Sequence, residues 1–445
     1  MTSTANRESN PLRGRGPTRR GFLQGSAAAA APVLLARPGR AAPAQDPDVL
    51  KVGLVGCGGR GTGAAAQALS AENGTVVLTA LADLFPDKVE ASLNALKAEM
   101  GEEGADRIQV PPAHLFAGFD AYQKLLASGV DVVILATAPY FRPAQLEAAI
   151  AAGKHVFTEK PMAVDAPGVR RVIAAAKQAE EKGLSVVAGF CWRRNALMRA
   201  LNAELHRGVL GPLRAIHTTY NTGPLHYNAR REGWTEMEWH LRNWQQVLWL
   251  SGDHIVEQAI HSLDMMSWAF QDVPPLSVTA IGGRQARSGE GSGNIYDHFG
   301  ATFDYPGGVK GFHQCRQIPR CSGENKSYYF GANGWADVNP WADQHRTQGD
   351  YAWVSEKMPG HSGQMYQTEL DELMASIRAR TPINDGPWMA QSTMLAIMTR
   401  MAAYTGQTIT WEQAMGSQET LGPAECALGD CPLEPVAIPG TTTFF

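Results

Sequence analysis

The sequence predicts an α/β protein: an amino-terminal doubly wound parallel sheet of the Rossmann type, followed by an α+β domain on a largely antiparallel open sheet. Three observations lead there. From Leu50, short β-branched runs alternate with alanine-rich helical stretches, and strand alternating with helix means parallel strands joined by crossover helices. After Cys191 the runs lengthen and most neighbours lack a crossover helix, which argues for antiparallel pairing. At 445 residues, 44 % hydrophobic and 18 % charged, the chain can bury large cores and is too long for one ordinary domain.

In order, strands are expected at Val52 to Val55, Thr75 to Leu81, Val132 to Ala136, Val156 to Thr158 and Leu184 to Ala188. The helices between and after them fall at Thr62 to Ala71, Pro86 to Met100, Phe119 to Ala127, Arg142 to Ala152 and Pro167 to Lys182. These fill a first domain over 48–188. The second, over 189–420, takes strands Leu213 to Tyr220, Ser277 to Gly283, His298 to Tyr305 and Val309 to Arg316. Two helices, Tyr366 to Ala379 and Gly386 to Tyr404, are separated by the breaker Thr381-Pro382. Residues 421–445 read as an irregular tail.

Residues 1–44 read as an export signal rather than as fold. Seven arginines face a single acid, Glu8, and Arg19-Arg20 stands before Gly21-Phe22-Leu23 in the twin-arginine manner. The apolar run Gly25 to Ala36 is too short to span a bilayer and leads to Ala42-Pro43-Ala44, a small-x-small cleavage pattern. A periplasmic protein with no membrane span follows. The 39 basic and 43 acidic residues give a net charge of −4, so no footprint for nucleic acid or anionic lipid is present. The six cysteines lack CxxC spacing; Cys315/Cys321 and Cys426/Cys431 are close enough to bridge in an oxidising compartment, and spacing alone leaves that open.

The first strand runs into Gly56-Cys57-Gly58-Gly59-Arg60-Gly61 and then into a helix. In that setting Gly56 makes the tight turn, Gly58 admits a pyrophosphate close to the backbone, and Gly61 allows close packing of helix on strand, with the helix N-terminus facing the phosphates. The second strand ends at Asp83, 22 residues beyond Gly61, where a carboxylate accepts from an adenosine ribose 2′-hydroxyl and repels a 2′-phosphate. NAD is thereby favoured over NADP. Gly59, Arg60, Thr137, Pro139, Glu159 and Lys160 complete the expected cofactor set. Glu159-Lys160-Pro161 ends a buried strand, and ligands of open α/β sheets sit at such ends.

These motifs, with Gly153-Lys154-His155-Val156 before the Glu-Lys-Pro tripeptide, resemble the glucose-fructose oxidoreductase / inositol dehydrogenase / rhizopine-catabolism (Gfo/Idh/MocA) family over residues 50 to about 412. The resemblance implies hydride transfer at a sugar or polyol, places Lys160 beside nicotinamide and substrate, and suggests sheet-to-sheet homo-oligomers. The chain departs from the family at Tyr140 and Pro143, where Asn and His are frequent.

Asp253, Glu257, His261 and Asp264 stand at i, i+4, i+8 and i+11, one face of a continuous helix. The segment resembles the family's acid-x-x-x-His-x-x-Asp pattern, with His261 at the catalytic position. Imidazole suits the proton left on a carbinol oxygen; Lys160 can stabilise alkoxide character there, and Glu257 can orient His261. Catalytic residues are therefore expected at Lys160, His261 and Glu257. Asp264, Arg193, Trp244 and His240 are expected at the substrate, because aromatic and hydrogen-bonding side chains between Tyr220 and Trp249 suit carbohydrate. A rival reading gives His254, Glu257 and His261 to a divalent metal; the resemblance explains them without one, and no metal is expected. The other readings are a glycosidase or lyase acting through transient oxidation, and a noncatalytic sugar-binding protein.

Overall fold

Strands apolar on both faces need helices on both sides, and the first layer of this computed structural model, which describes residues 49–225 and 227–443, is built that way. The segment read as an export signal lies outside the described residues. The chain runs β1 (Val49–Val55), α1 (Gly59–Leu69), β2 (Thr75–Asp83), α2 (Pro86–Met100), β3 (Leu115–Ala117), α3 (Ala121–Leu126), β4 (Val132–Leu135), α4 (Arg142–Ala151), β5 (His155–Thr158), α5 (Ala166–Glu181) and β6 (Val186–Ala188). All pairings are parallel, in the order β3-β2-β1-β4-β5-β6. The order reverses beside β1, the switch point at which such sheets bind ligands.

The second layer follows as α6 (Ala196–His206), β7 (Leu213–Thr222), α7 (Glu236–Arg242), α8 (Leu248–Ser251), α9 (His254–Glu257), α10 (Ile260–Ala269), β8 (Ser277–Gly283), β9 (His298–Asp304), β10 (Lys310–Gln317), β11 (Glu324–Gly331), β12 (Gly334–Val338) and β13 (Gln348–Gly349). The chain closes with α11 (Met365–Ala379), α12 (Gly386–Thr405), β14 (Ile409–Thr410) and α13 (Trp411–Gly416). Its eight-stranded sheet has the order β13-β12-β11-β7-β10-β9-β8-β14 and is antiparallel except where β10 meets β7. The inner face packs on α10 and α12; α12 is buried along almost its whole length because it also lies against α5 of the first layer. Among the described residues no helix is long and apolar enough to cross a membrane.

Two features were not anticipated. Leu370, Leu373 and Met374 of α11 share a core with Leu54, Ala65 and Leu78, so α11 packs on the first layer. The chain after it lies along β6, where Val186 N donates to Ile383 O at 2.7 Å and Ala188 N to Asp385 Oδ2 at 2.9 Å. Residues 421–443 form no helix or strand, yet they are pinned to both layers. Tyr140 Oη donates to Pro423 O at 3.0 Å, Met237 N to Gly429 O at 3.1 Å and Tyr296 Oη to Ala437 O at 2.9 Å. Donors that would otherwise be buried without partners thus find carbonyls on the tail. All six thiols are free; Cys315 is buried while Cys321 is exposed.

Candidate active site

The glycine turn is shaped by contact. Gly56 has φ +97°, and a Cβ there would lie 2.5 Å from the carbonyl carbon of Ala136; a Cβ on Gly61 would lie 1.9 Å from Gly56 O. Neither position tolerates a side chain without moving backbone. A Cβ on Gly58 would meet nothing within 4 Å, and Gly58 is the N-cap of α1, with no side-chain cap bond and no acid in the first turn. Open space before uncapped N–H groups is what a pyrophosphate needs. Gly59 opens the helix beside it, and a Cβ there also meets open space.

Asp83 is first of all a brace: its Oδ2 accepts from Cys57 N at 2.7 Å and its Oδ1 from Phe85 N at 3.0 Å. Burial raises its pKa against those bonds. Thr137 Oγ1 donates to Gln145 Oε1 at 2.7 Å, and Arg142 donates to Thr137 O at 2.6 Å, fixing the loop that faces Gly56. Pro139, buried, opens the short 3-10 turn that follows. Tyr140 packs edge-on against Trp249 at 4.8 Å, so the residue that departs from the family pattern belongs to an aromatic contact between layers.

Arg60 and Glu159, expected to touch cofactor, are instead paired with each other, Nε to Oε1 at 2.5 Å. The guanidinium lies over Tyr366 at 5.0 Å, with the fully buried Glu369 3.7 Å away. Glu159 Oε2 also accepts from Lys160 N at 3.2 Å, which leaves the Lys160 side chain to project from the strand end. The Lys160–Pro161 peptide is cis.

The continuous helical face does not exist. Asp253 has φ +81° and caps a four-residue α9; α10 starts only at Ile260. The break separates the residues that spacing had put on one stripe. Asp253 turns inward, accepting from Tyr296 N at 2.8 Å and Tyr404 Oη at 2.5 Å. His254 lies between Asp253 Oδ1 and Cys315 Sγ, at 3.0 and 3.4 Å, so both its ring nitrogens are engaged outside the proposed metal triad. Among the described residues no group of three or more ligating side chains could hold a metal.

Glu257 and His261 remain in the cleft. Lys160 Nζ donates to Glu257 O and lies 3.7 Å from its Oε1, while Glu257 Oε2 is buried with no hydrogen-bond partner. Glu257 therefore holds Lys160 rather than orienting His261. The imidazole is seated by rings, Trp192 at 5.1 Å and Phe190 at 6.2 Å, and its Nδ1 is buried without a partner. Burial first, then the cations Lys160 and Arg60, hold its pKa well below the ordinary 6.5. The ring is held neutral.

The expected substrate residues are placed elsewhere. Arg193 binds Asp264, Nε to Oδ1 at 2.9 Å, and Asp272, Nη2 to Oδ1 at 2.6 Å, with Trp388 4.1 Å beneath it; Ser392 completes Asp264. Both charges are buried and satisfied by each other, a structural ion pair. His240 is buried beside Trp239, its pKa lowered by burial, and Trp244 packs against the cluster of Trp249 and Leu250. Sequence reasoning missed Trp192 and Tyr220. Tyr220 stands on β7, 6.3 Å from Trp192, and burial with Glu257 nearby raises its pKa. The signal for Trp192 was its place directly after the carboxyl end of β6.

The description of the oxidoreductase family with an NAD-binding Rossmann fold (GFO/IDH/MocA) matches residues 50–188, and that of the GFO/IDH/MocA C-terminal domain matches residues 198–336. The chain belongs to this family of oxidoreductases. Among curated relatives, the 2,7-anhydro-N-acetylneuraminate hydratase of Escherichia coli K12 is 31 % identical over 179 residues, 40 % of this chain and 44 % of the relative. The trans-1,2-dihydrobenzene-1,2-diol dehydrogenase of Mus musculus is 27 % identical over 283 residues, 63 % of this chain and 75 % of the relative. The chain thus spans less than half the length of the first and three quarters of the second. A crystal structure of aldose-aldose oxidoreductase from Caulobacter crescentus, complexed with glycerol, superposes with a TM-score of 0.63 at 20 % identity, covering 81 % of this chain and 99 % of that one. It establishes the shared fold.

A depressed pKa keeps His261 unprotonated, and so able to accept a proton, below pH 6.5. The acid limb of kcat/KM is therefore expected below 6.5 rather than at it, and His261→Ala should lower kcat about a hundredfold to ten-thousandfold. A pH–rate profile with a limb at or above 6.5 would contradict the assignment.

Proposed function

We propose that this chain is an exported, NAD-dependent oxidoreductase that transfers a hydride at a carbinol carbon of a sugar or sugar derivative. The observation that carries the reading is the meeting, at the carboxyl end of β5, of Lys160 with Glu257 and with the neutral His261. NAD, when bound, supplies the hydride acceptor. The open N-terminus of α1 and Gly58 would hold its pyrophosphate, and Asp83 its ribose, a carboxylate that favours NAD over NADP. His261 takes the hydroxyl proton as the C–H pair leaves. Lys160 donates to the same oxygen and stabilises its developing charge, and Glu257 keeps that ammonium in place. The names of the mouse diol dehydrogenase and the aldose-aldose oxidoreductase support carbinol chemistry.

A second reading draws on Glu257 Oε2, a buried carboxylate oxygen with no partner beside Lys160, and on the E. coli relative's name as a hydratase. Transient oxidation next to a glycosidic bond acidifies the neighbouring C–H, and elimination followed by reduction leaves no net oxidised sugar. Product analysis separates the two readings.

Export rests on Arg19-Arg20 and the short apolar run behind it. Free NAD is scarce outside the cytoplasm, so the cofactor is held tightly and recycled, one substrate reducing it and another reoxidising it. A homo-oligomer is proposed from the outer face of the second sheet, where Ile281 of β8, Phe312 of β10 and Phe330 of β11, each one strand removed from the next, are 75 %, 40 % and 43 % exposed. A contiguous apolar face of this kind marks an interface.

Three outcomes are expected. Acid extracts of the purified protein contain NAD(H), whose nicotinamide absorbance changes on addition of a sugar substrate; protein free of nucleotide and unable to bind it would refute the reading. The protein fractionates with the periplasm, and replacing Arg19-Arg20 by Lys-Lys retains it inside. Light scattering gives more than one subunit, and Phe312→Glu shifts the mass toward the monomer; a monomeric wild type would refute the interface.

A further inference from the structure

The last residue of α7 is fastened to the segment that follows β2. Arg242 lays its guanidinium on Phe85, 3.8 Å from the ring centroid, with Trp234 at 5.0 Å. Its two terminal nitrogens donate to the two carboxylate oxygens of Asp87, each at 3.1 Å, and Nε donates to Glu238 Oε1 at 2.9 Å. The Arg242 side chain is only 14 % exposed although Asp87 is 59 % exposed. Asp87 stands in the first turn of α2, so its charge also meets the positive end of that helix. The loop leading to α7 is braced independently: Asn228 N donates to Asn243 Oδ1 at 2.6 Å, and Asn243 Nδ2 to Asn228 O at 3.1 Å.

Phe85 is two residues past Asp83 and donates its N–H to that carboxylate. The end of the second strand is where the adenosine half of a dinucleotide lies in a sheet of this order. One arginine of the second layer therefore grips the first layer beside that half of the cofactor site, by a bidentate carboxylate contact and a stacked ring, the firmer geometries open to a partly exposed cation. None of this is needed for hydride transfer at Lys160 and His261.

We propose that Arg242, with Phe85 and Asp87, forms a clasp over the adenosine end of the bound dinucleotide and sets how slowly the nucleotide leaves. The proposal rests on the NAD-dependent reading above and names the contact that makes the cofactor resident. The full-length protein is loaded with NADH, and release is followed by the loss of nicotinamide fluorescence on dilution into excess NAD. Wild type is expected to release slowly, Arg242→Ala about tenfold faster or more, and Asp87→Asn, which leaves the stack on Phe85, at a rate between them. Thermal unfolding of the nucleotide-free proteins is measured alongside. A lower melting temperature for Arg242→Ala with an unchanged release rate would reduce the contact to a structural bridge and overturn the clasp. Should Arg242→Ala fail to fold, wild-type release by Asp87→Asn overturns it instead. NADH that binds all three and leaves each equally fast overturns the clasp alone, whereas wild type that does not bind NADH overturns the proposed function with it.

Discussion

The cleft depends on one contact between layers: the ammonium of Lys160, carried at the end of a parallel strand, reaching the carbonyl and carboxylate of Glu257 at the end of a four-residue helix. It exists because the helix stops there. A carbonyl at a helix end has no partner inside the helix, so the break between α9 and α10 supplies the acceptor that a continuous helix would have consumed. The same interruption sets His261 in the first turn of a second helix, turned against Trp192 and Phe190. The position of His261 thus follows from a backbone irregularity rather than from a stripe of charge.

The electrostatics of the cleft come from the same compact arrangement. Arg60 and Lys160 are held close by Glu159 and Glu257, and both cations, after burial itself, disfavour a proton on His261. The imidazole is kept neutral by neighbours that are themselves paired. Arg60 contributes from a distance, through its field, where the glycine motif alone would have aimed it at phosphate.

The first layer was legible because its signals are local. Strand, glycine turn, helix and the acid at Asp83 follow each other within 35 residues, and each has one mechanical job. Lys160 could be placed by the same reasoning, since a strand end fixes where a side chain emerges. The second layer was legible only in outline. Asp253 and Asp264 looked like members of a polar face because spacing was read on an unbroken helix, and a positive φ at Asp253 leaves no mark in composition. Arg193 was expected at the substrate because its partners, Asp264 and Asp272, lie 71 and 79 residues away. The polar start of β11 hid a strand, and α11 hid its allegiance to the first layer, because both depend on long-range pairing.

That allegiance has a consequence for how the molecule comes into being. The edge at β6 is completed by Ile383 and Asp385, and the core under α1 by Leu370 and Met374. The nucleotide-binding half is therefore not a portable module: excised after residue 188 it would expose an apolar flank and an unpaired strand border. On the ribosome it must wait, partly assembled, until nearly two hundred further residues have been synthesised, an interval in which sticky intermediates need shelter.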